Sequence, residues 1–467
     1  MNMKLSEKTK RLTQIFEGKK KYIVIFLCFF LFEALLTFYT GLPYDMSVWF
    51  KTGTWLNQGI NIYLPNDHLG YPPLWALWCG FAYKLYTYLA YNFEIWRFII
   101  KLPMIISHLV LAYVVATFAA KRFDIKTGKK ILLITLLWSF FIYVGALWGQ
   151  INVISALLTF LAFYAISTGR NKTSALALGI AITLKIYPIV TLPAFFAYWM
   201  KKSGTKKASF YALSACIVPV VFTLLVFTIF QWDILYFLKT IFYWAPVYDT
   251  NPVQMSGGCM NIWSFFGAIG INISKVWILR FVWIPVIAIG SIYWLKKRKM
   301  NDGDLNLAII SLYILFMITY GWISEQTFID PLPFIFLQIL AYRPKRLQLY
   351  VLSVVQMSIY VFSFFNSGPF IFQPLIVRFA PELMTYIDPL QPGNTPLFWA
   401  IRGITGLTVS LTLIFLLILL MRTDQKGNDT KKPTDTDCGS LADSKRSGLR
   451  LMKHMIYSFK NKISHRE

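Results

Sequence analysis

Charge is what this chain has least of. Only 14% of its 467 residues are Asp, Glu, Lys or Arg, against about a quarter in a soluble domain, so a soluble fold is excluded. Acids are the scarcer sign, with 21 Asp and Glu against 46 Lys and Arg. Histidine and cysteine are rare as well, at four and five residues. The histidines form no H-x-x-x-H or H-E-x-x-H spacing and no cysteine cluster accompanies them, which leaves a zinc site unsupported. Cys28 and Cys216 lie in apolar segments and Cys438 in the tail, so Cys79 and Cys259 are the one pair able to share an outer side and form a disulfide. There is no P-loop, no G-x-G-x-x-G and no serine elbow. Short alternating strands are missing, which argues against a β-barrel. The first apolar run has a basic flank but no small-residue cleavage site, so it reads as a retained signal anchor. No internal repeat stands out.

What the chain does have is apolar length: 57% hydrophobic and 18% aromatic residues. Uncharged runs long enough to cross about 30 Å of hydrocarbon recur along it. The fold class is therefore an all-α polytopic membrane protein of about 12 helices. The segments are 22–40, 97–120, 131–147, 152–168, 174–186, 188–200, 208–230, 276–295, 304–322, 326–342, 347–366 and 397–421. Segment 73–91 is rich in Trp and Tyr and contains Lys84, which suits a juxtamembrane helix at the interface.

With that choice the charges sort cleanly. Residues 1–21, 121–130, 169–173, 201–207, 296–303, 343–346 and 422–467 hold 36 of the 46 Lys and Arg, and the positive-inside rule puts all of these in the cytoplasm. The net charge of +25 thus reflects orientation in a bilayer and calls for no nucleic-acid partner. Both termini are then cytoplasmic, and the polar connections 41–96, 231–275 and 367–396 are outside. The segments 174–186 and 188–200 are each too short to span, and Lys185-Ile-Tyr-Pro188 marks their turn. Such half-helices line a cavity reached by water or ligand, and this turn should face the outer side. The tail 423–450 is polar, and 448–462 is either a basic amphipathic helix or merely solvated. The organisation that follows is a basic N-terminus (1–21), a catalytic module (22–200), a variable transmembrane module (201–421) and a basic tail (422–467).

Charges at membrane depth or just outside it are functional suspects. On the outer side these are Asp45, Asp67, His68, Glu94, Arg97, Lys101, Lys185, Asp233, Lys239, Asp249, Glu325 and Asp330, with Glu33 and His108 inside the first two helices. Two Asp-x-Asp pairs, Asp302-Gly-Asp304 and Asp435-Thr-Asp437, fall in polar cytoplasmic segments and read as solvated loops. Asp45 follows directly on the first apolar run. It is a cap for helix 46–56, an interfacial anchor or a catalytic base.

Three motifs in order resemble the GT-C glycosyltransferases. Asp45 is followed by Gly59 to Tyr63 and by Tyr71-Pro72-Pro73-Leu74, as in the first outer loop of that fold. Trp148-Gly149-Gln150-Ile151-Asn152 is similar to the G-Q-x-N motif of polyprenyl-phosphate-mannose-dependent mannosyltransferases of bacteria and archaea. Ala175 to Pro188 is close to the G-x-x-x-x-x-K-x-x-P run of the same group, and Ser324-Glu325-Gln326 sits where relatives carry a short polar motif. The resemblance covers about residues 20–345. It implies a GT-C bundle with juxtamembrane helices in its first outer loop, and an inverting transfer of a hexose, most readily mannose. The donor it implies is a polyprenyl or dolichyl phosphate sugar; the acceptor is a glycan, lipid or protein. It also implies a bacterial or archaeal plasma membrane, with the endoplasmic reticulum as alternative. Some members carry Asp-x-Asp in the loop; here the run is Asp45-Met-Ser47, which points to branches needing no metal.

In that frame Asp45 is the base, and Lys185 with Arg97 and Lys101 hold the donor phosphate. Tyr71, Gln150, Asn152, Tyr187 and Glu325 contact donor or acceptor. The competing roles are snorkelling for Lys185, interfacial anchoring for Arg97 and Lys101, helix packing for Gln150 and Asn152, and a cap near Ser324 for Glu325. Glu33 should be paired within the bundle. Trp232, Tyr243, Trp244, Tyr248 and Trp263 either face a carbohydrate or anchor the interface. A flippase or transporter for lipid-linked sugars is the rival from another class.

Overall fold

A computed structural model describes residues 19–64, 70–89, 91–238, 259–271, 281–321, 323–342, 346–366, 368–387 and 396–426. Asp67, His68, Lys239, Tyr243, Trp244, Tyr248, Asp249, the pair Asp435 and Asp437 and the segment 448–462 lie outside the described residues. Residues Met1–Arg422 group as one compact unit and Thr423–Glu467 as another.

The described elements are helical throughout, with no strand among them. The first five are α1 (Lys19–Thr37), α2 (Pro43–Asn57), α3 (Pro73–Tyr88), α4 (Phe93–Arg122) and α5 (Ile125–Leu137). After them come α6 (Asn152–Ser167), α7 (Asn171–Leu184), α8 (Leu192–Ser203) and α9 (Thr205–Phe230). The last are α10 (Trp283–Lys296), α11 (Asp302–Thr319), α12 (Arg346–Asn366) and α13 (Pro396–Lys426). About 12 membrane helices are expected from apolar length; among the described residues five helices are long and apolar enough to cross a membrane alone: α4, α9, α11, α12 and Leu397–Arg422 within α13. Helix α5 and the stretch Ser139–Trp148 form a sixth when joined across a 43° bend at Trp138. The protein is an all-α polytopic membrane protein.

Local chemistry sets the helix ends. Asn92 caps α4 by accepting the Ile95 N–H at 2.9 Å, and Lys121 and Arg122 occupy its last turn, where cations favour the negative end of the helix dipole. Asp124 caps α5. Asn301 and Asp304 form a reciprocal capping box at the start of α11.

Side-chain contacts mark one basic end of the bundle. Asp302 accepts from Tyr198 Oη at 2.5 Å and lies 3.4 Å from Arg122 and 3.7 Å from Lys202, while Asp304 pairs with Lys297 at 2.7 Å. Asp302 and Asp304 are buried. The solvated-loop reading of this pair is thereby corrected: the two acids clamp the ends of α4, α8, α10 and α11 together. Ends of α7 and α8 meet here as well, since Lys121 donates to Tyr164 close before α7 and Lys202 lies in the last turn of α8. The turn at 185–191 is therefore the apex of a hairpin reaching the opposite end. Pro188 sits in a short 3-10 segment there, Tyr187–Thr191, where the missing N–H costs nothing.

Segment 73–91 folds as α3, 16 residues long. It runs back along the start of α4: Trp78 Nε1 donates to Ile100 O at 3.1 Å, and Tyr86 meets Phe93. Both its ends stay at the end of the bundle where α4 begins. Gly53 lets α2 lie against α3, because a Cβ there would sit 2.6 Å from Cys79 O. Cys259 Sγ donates to Gly321 O at 2.7 Å and is not bonded to Cys79, so the candidate disulfide is absent. Glu33 pairs with His108 at 2.6 Å in the interior. The other imidazole nitrogen is 2.9 Å from Thr135 O, a pure acceptor, so that nitrogen carries hydrogen and the pair is neutral overall.

Candidate functional site

The site begins where α1 ends. Gly41 adopts φ +133, Leu42 is extended, and Pro43 opens α2 at its first position with no side chain capping the helix. Asp45 falls in the first turn of α2, but its side chain is not the cap. Its Oδ2 accepts from Trp148 Nε1 at 2.6 Å and from Gln150 Nε2 at 2.7 Å. Gln150 in turn accepts from Tyr71 Oη at 3.2 Å. Asp45 Oδ1 takes no hydrogen bond among the described residues. Burial pushes the Asp45 carboxyl up to about 6 from its ordinary 3.8, while the bonds from Trp148 and Gln150 and the charge of Lys185 pull it down.

Trp148 and Gln150 can both reach one carboxylate oxygen because of the chain between them. The π-helical turn Tyr143–Trp148 ends at Gly149, which adopts φ +93. An added Cβ there would meet Lys101 Cε at 2.9 Å in a conformation that L side chains rarely adopt. Asn152 then opens α6. Its Oδ1 accepts from Lys185 Nζ at 2.8 Å and its Nδ2 donates to Asp330 Oδ2 at 2.8 Å. The amide thus links a cation to an acid, with Asp330 holding it in the orientation Lys185 needs. Lys185 also lies 4.9 Å from the Tyr187 ring and 5.5 Å from the Tyr71 ring. The Glu325 carboxylate lies within electrostatic reach of Asp45. That carboxylate accepts from Ser324 at 3.0 Å, Ser363 at 3.0 Å and Asn366 at 3.2 Å.

The fold thus brings Asp45, Tyr71, Gln150, Asn152, Lys185, Tyr187 and Glu325 to one end of the bundle. Lys101 and Arg97 do not join them. The Lys101 ammonium donates to Thr40 O (2.9 Å), Thr40 Oγ1 (3.1 Å), Ala146 O (3.0 Å) and Leu147 O (2.9 Å). It stitches the end of α1 to the turn before Gly149 and has no hydrogen left for a phosphate. Arg97 donates to Phe38 O at 3.3 Å and lies 4.7 Å over the Phe93 ring. It touches neither Asp45 nor Lys185. Glu94 pairs with Arg378. Trp232 and Trp263 are buried, and Trp263 donates to Thr319 O, so neither presents a face to a sugar.

Replacing Lys101 by Met should leave the carbonyls of Thr40, Ala146 and Leu147 unpaired in the interior. We expect a loss of about 3 kcal/mol or more, measured as a lower Tm in detergent, with transfer activity falling as the Gly149 turn loosens. An unchanged Tm would contradict the clamp.

The sequence marks Trp148 and Asp330 without the roles seen here: Trp148 donates to Asp45 and Asp330 holds Asn152. Arg402, on which Glu325 acts, was not singled out. An arginine inside an apolar run is itself a signal, and Arg402 carried it.

An all-helical multi-pass membrane protein with a carboxylate, a lysine and a bound amide at one end of its bundle has the parts of a group-transfer enzyme working at a bilayer. The chain belongs to glycosyltransferase family 87, whose model matches residues 69–319. No curated protein matches it. The matched stretch contains Tyr71, Gln150, Asn152 and Lys185, while Asp45, Glu325 and Arg402 flank it in sequence and join it through the fold.

Proposed function

We propose that this membrane glycosyltransferase is a GT-C-type enzyme that moves a hexose, mannose in the first instance, from a polyprenyl-phosphate donor to a hydroxyl of a glycan, lipid or protein. The observation that carries the reading is the Asp45 carboxylate. One oxygen is fixed by Trp148 and Gln150, the other is unbonded, and a lysine lies within electrostatic reach. An unbonded oxygen on a rigidly held carboxylate is what a general base requires. Asp45 takes the acceptor hydroxyl proton as that oxygen attacks the anomeric carbon, and the sugar–phosphate bond breaks with the electron pair leaving on phosphate. Lys185 stabilises that charge. A single displacement inverts the anomeric centre, and the step calls for no metal ion. Gln150 and Tyr71 orient Asp45, and Glu325 contacts donor or acceptor.

The clustering of Arg122, Lys202 and Lys297 at one end supports a cytoplasmic basic end and an extracytoplasmic site. The test is transfer of label from polyprenyl-phosphate mannose to acceptor by purified protein. Transfer with inversion supports the reading, and movement of the sugar lipid across a vesicle membrane without transfer would replace it with a transporter.

A further inference from the structure

Arg402 has no role in the step just described, yet it is one of the most unusual residues in the molecule. It sits near the start of α13, a helix apolar enough to span the bilayer, and it is 2% exposed. Its Nε donates to Phe365 O at 2.6 Å, and its Nη2 is buried with no hydrogen-bond partner. Among the described residues no carboxylate lies within ion-pair distance of it, although Glu325 acts on it electrostatically. The Trp399 ring lies 5.5 Å away.

A buried cation without a partner costs several kcal/mol, and in a membrane helix an arginine is rarer still. At the same end the Lys101 ammonium is met by oxygen atoms alone, and Lys185 donates to Asn152. Arg402 therefore has an unused donor edge, and the planar guanidinium fork is the group best matched to a phosphate. Its surroundings say what kind of phosphate compound can arrive. Trp399 shares the face of α13 one turn before Arg402, Phe365 O of α12 accepts from the Arg402 Nε, and Phe364 beside Phe365 is exposed. An apolar chain can lie along these side chains while its head reaches inward between α12 and α13. Glu325 connects this position to Asp45, since its charge acts on both.

We propose that Arg402 is a binding residue for the phosphate group of a lipid-linked substrate, which enters from the bilayer between α12 and α13. The inference rests on the reading of the chain as a transferase using a lipid-linked donor. Either the donor's phosphate or a phosphate in a lipid acceptor's head group has the chemistry required.

The test is direct binding to purified full-length protein in detergent, with polyprenyl phosphate, the matching polyprenol, phosphatidic acid and inorganic phosphate as probes. Wild type should bind polyprenyl phosphate far better than the polyprenol or inorganic phosphate. Arg402→Gln should weaken that binding about tenfold or more and Arg402→Lys less, with polyprenol binding unchanged in both. A role limited to holding Phe365 O would instead weaken phosphate and alcohol equally. If phosphatidic acid is the probe that loses affinity in Arg402→Gln and polyprenyl phosphate is not, the residue serves the acceptor. Equal polyprenyl phosphate and phosphatidic acid affinity in Arg402→Gln and wild type, or no phosphate-dependent binding by wild type, overturns the inference. Continued transfer under either outcome leaves the transferase reading standing, and phosphate-dependent binding without transfer does the reverse.

Discussion

Asp45→Asn should reduce sugar transfer about a thousandfold, within the range general-base catalysis supplies, while leaving the fold intact. The substitution is conservative in geometry because Asp45 uses a single oxygen to accept from Trp148 and Gln150, and asparagine retains one such oxygen. What it removes is the unbonded, ionisable oxygen. The same variant should gain stability. A carboxyl whose folded value is about 6 against an ordinary 3.8 binds its proton more tightly in the folded protein, so ionisation costs stability above about pH 6. The neutral asparagine escapes that cost. The Tm of Asp45→Asn should exceed wild type at pH 7.5 and the difference should vanish near pH 4. Loss of activity together with a lower Tm at pH 7.5 would indicate a structural role.

The second large effect concerns Lys185. Lys185→Met should lower transfer at least a hundredfold through loss of the charge facing the leaving phosphate. It should also lower the Tm, because Asp330 would remain buried as a carboxylate with no cation nearby. Breaking one side of a buried pair costs more than removing both. The double variant Lys185→Met with Asp330→Asn should therefore recover much of the lost Tm, since asparagine still accepts from Asn152, yet recover none of the activity. Recovery of transfer along with the Tm would make Lys185 a structural cation only.

Much of this arrangement was legible in the residues. Apolar length located the five helices able to cross alone and the bent sixth, because a segment either can or cannot cross hydrocarbon without polar side chains. Most of the other expected segments fold as shorter or broken helices that length alone does not place. The half-helix pair around Lys185 was visible for the same reason, each part being too short and Pro188 marking the break. Segment 73–91 was legible as a helix, and α3 lies along the start of α4. Side-chain direction was not legible. Arg97 and Lys101 are one turn apart at a helix end, and nothing local distinguishes a lysine that faces a ligand from one that meets the carbonyls of Thr40, Ala146 and Leu147, distant in sequence. Asp302 and Asp304 looked solvated because their neighbours are polar, whereas contacts from Tyr198 and Arg122 bury them. Arg402 lies near the start of the apolar run 397–421, where an arginine can equally snorkel to the interface. Its burial depends on packing that the local sequence does not record.

The pH dependence of single-turnover transfer tests the central claim most directly, since it reports the group that takes the proton. With Asp45 as the base, the rate with saturating donor and acceptor should be level above about pH 7 and should fall tenfold per unit below about pH 6. The residual activity of Asp45→Asn should lack that limb. A wild-type rate that stays level down to pH 4.5, or an Asp45→Asn profile with the same limb, would contradict the assignment of Asp45 as the base.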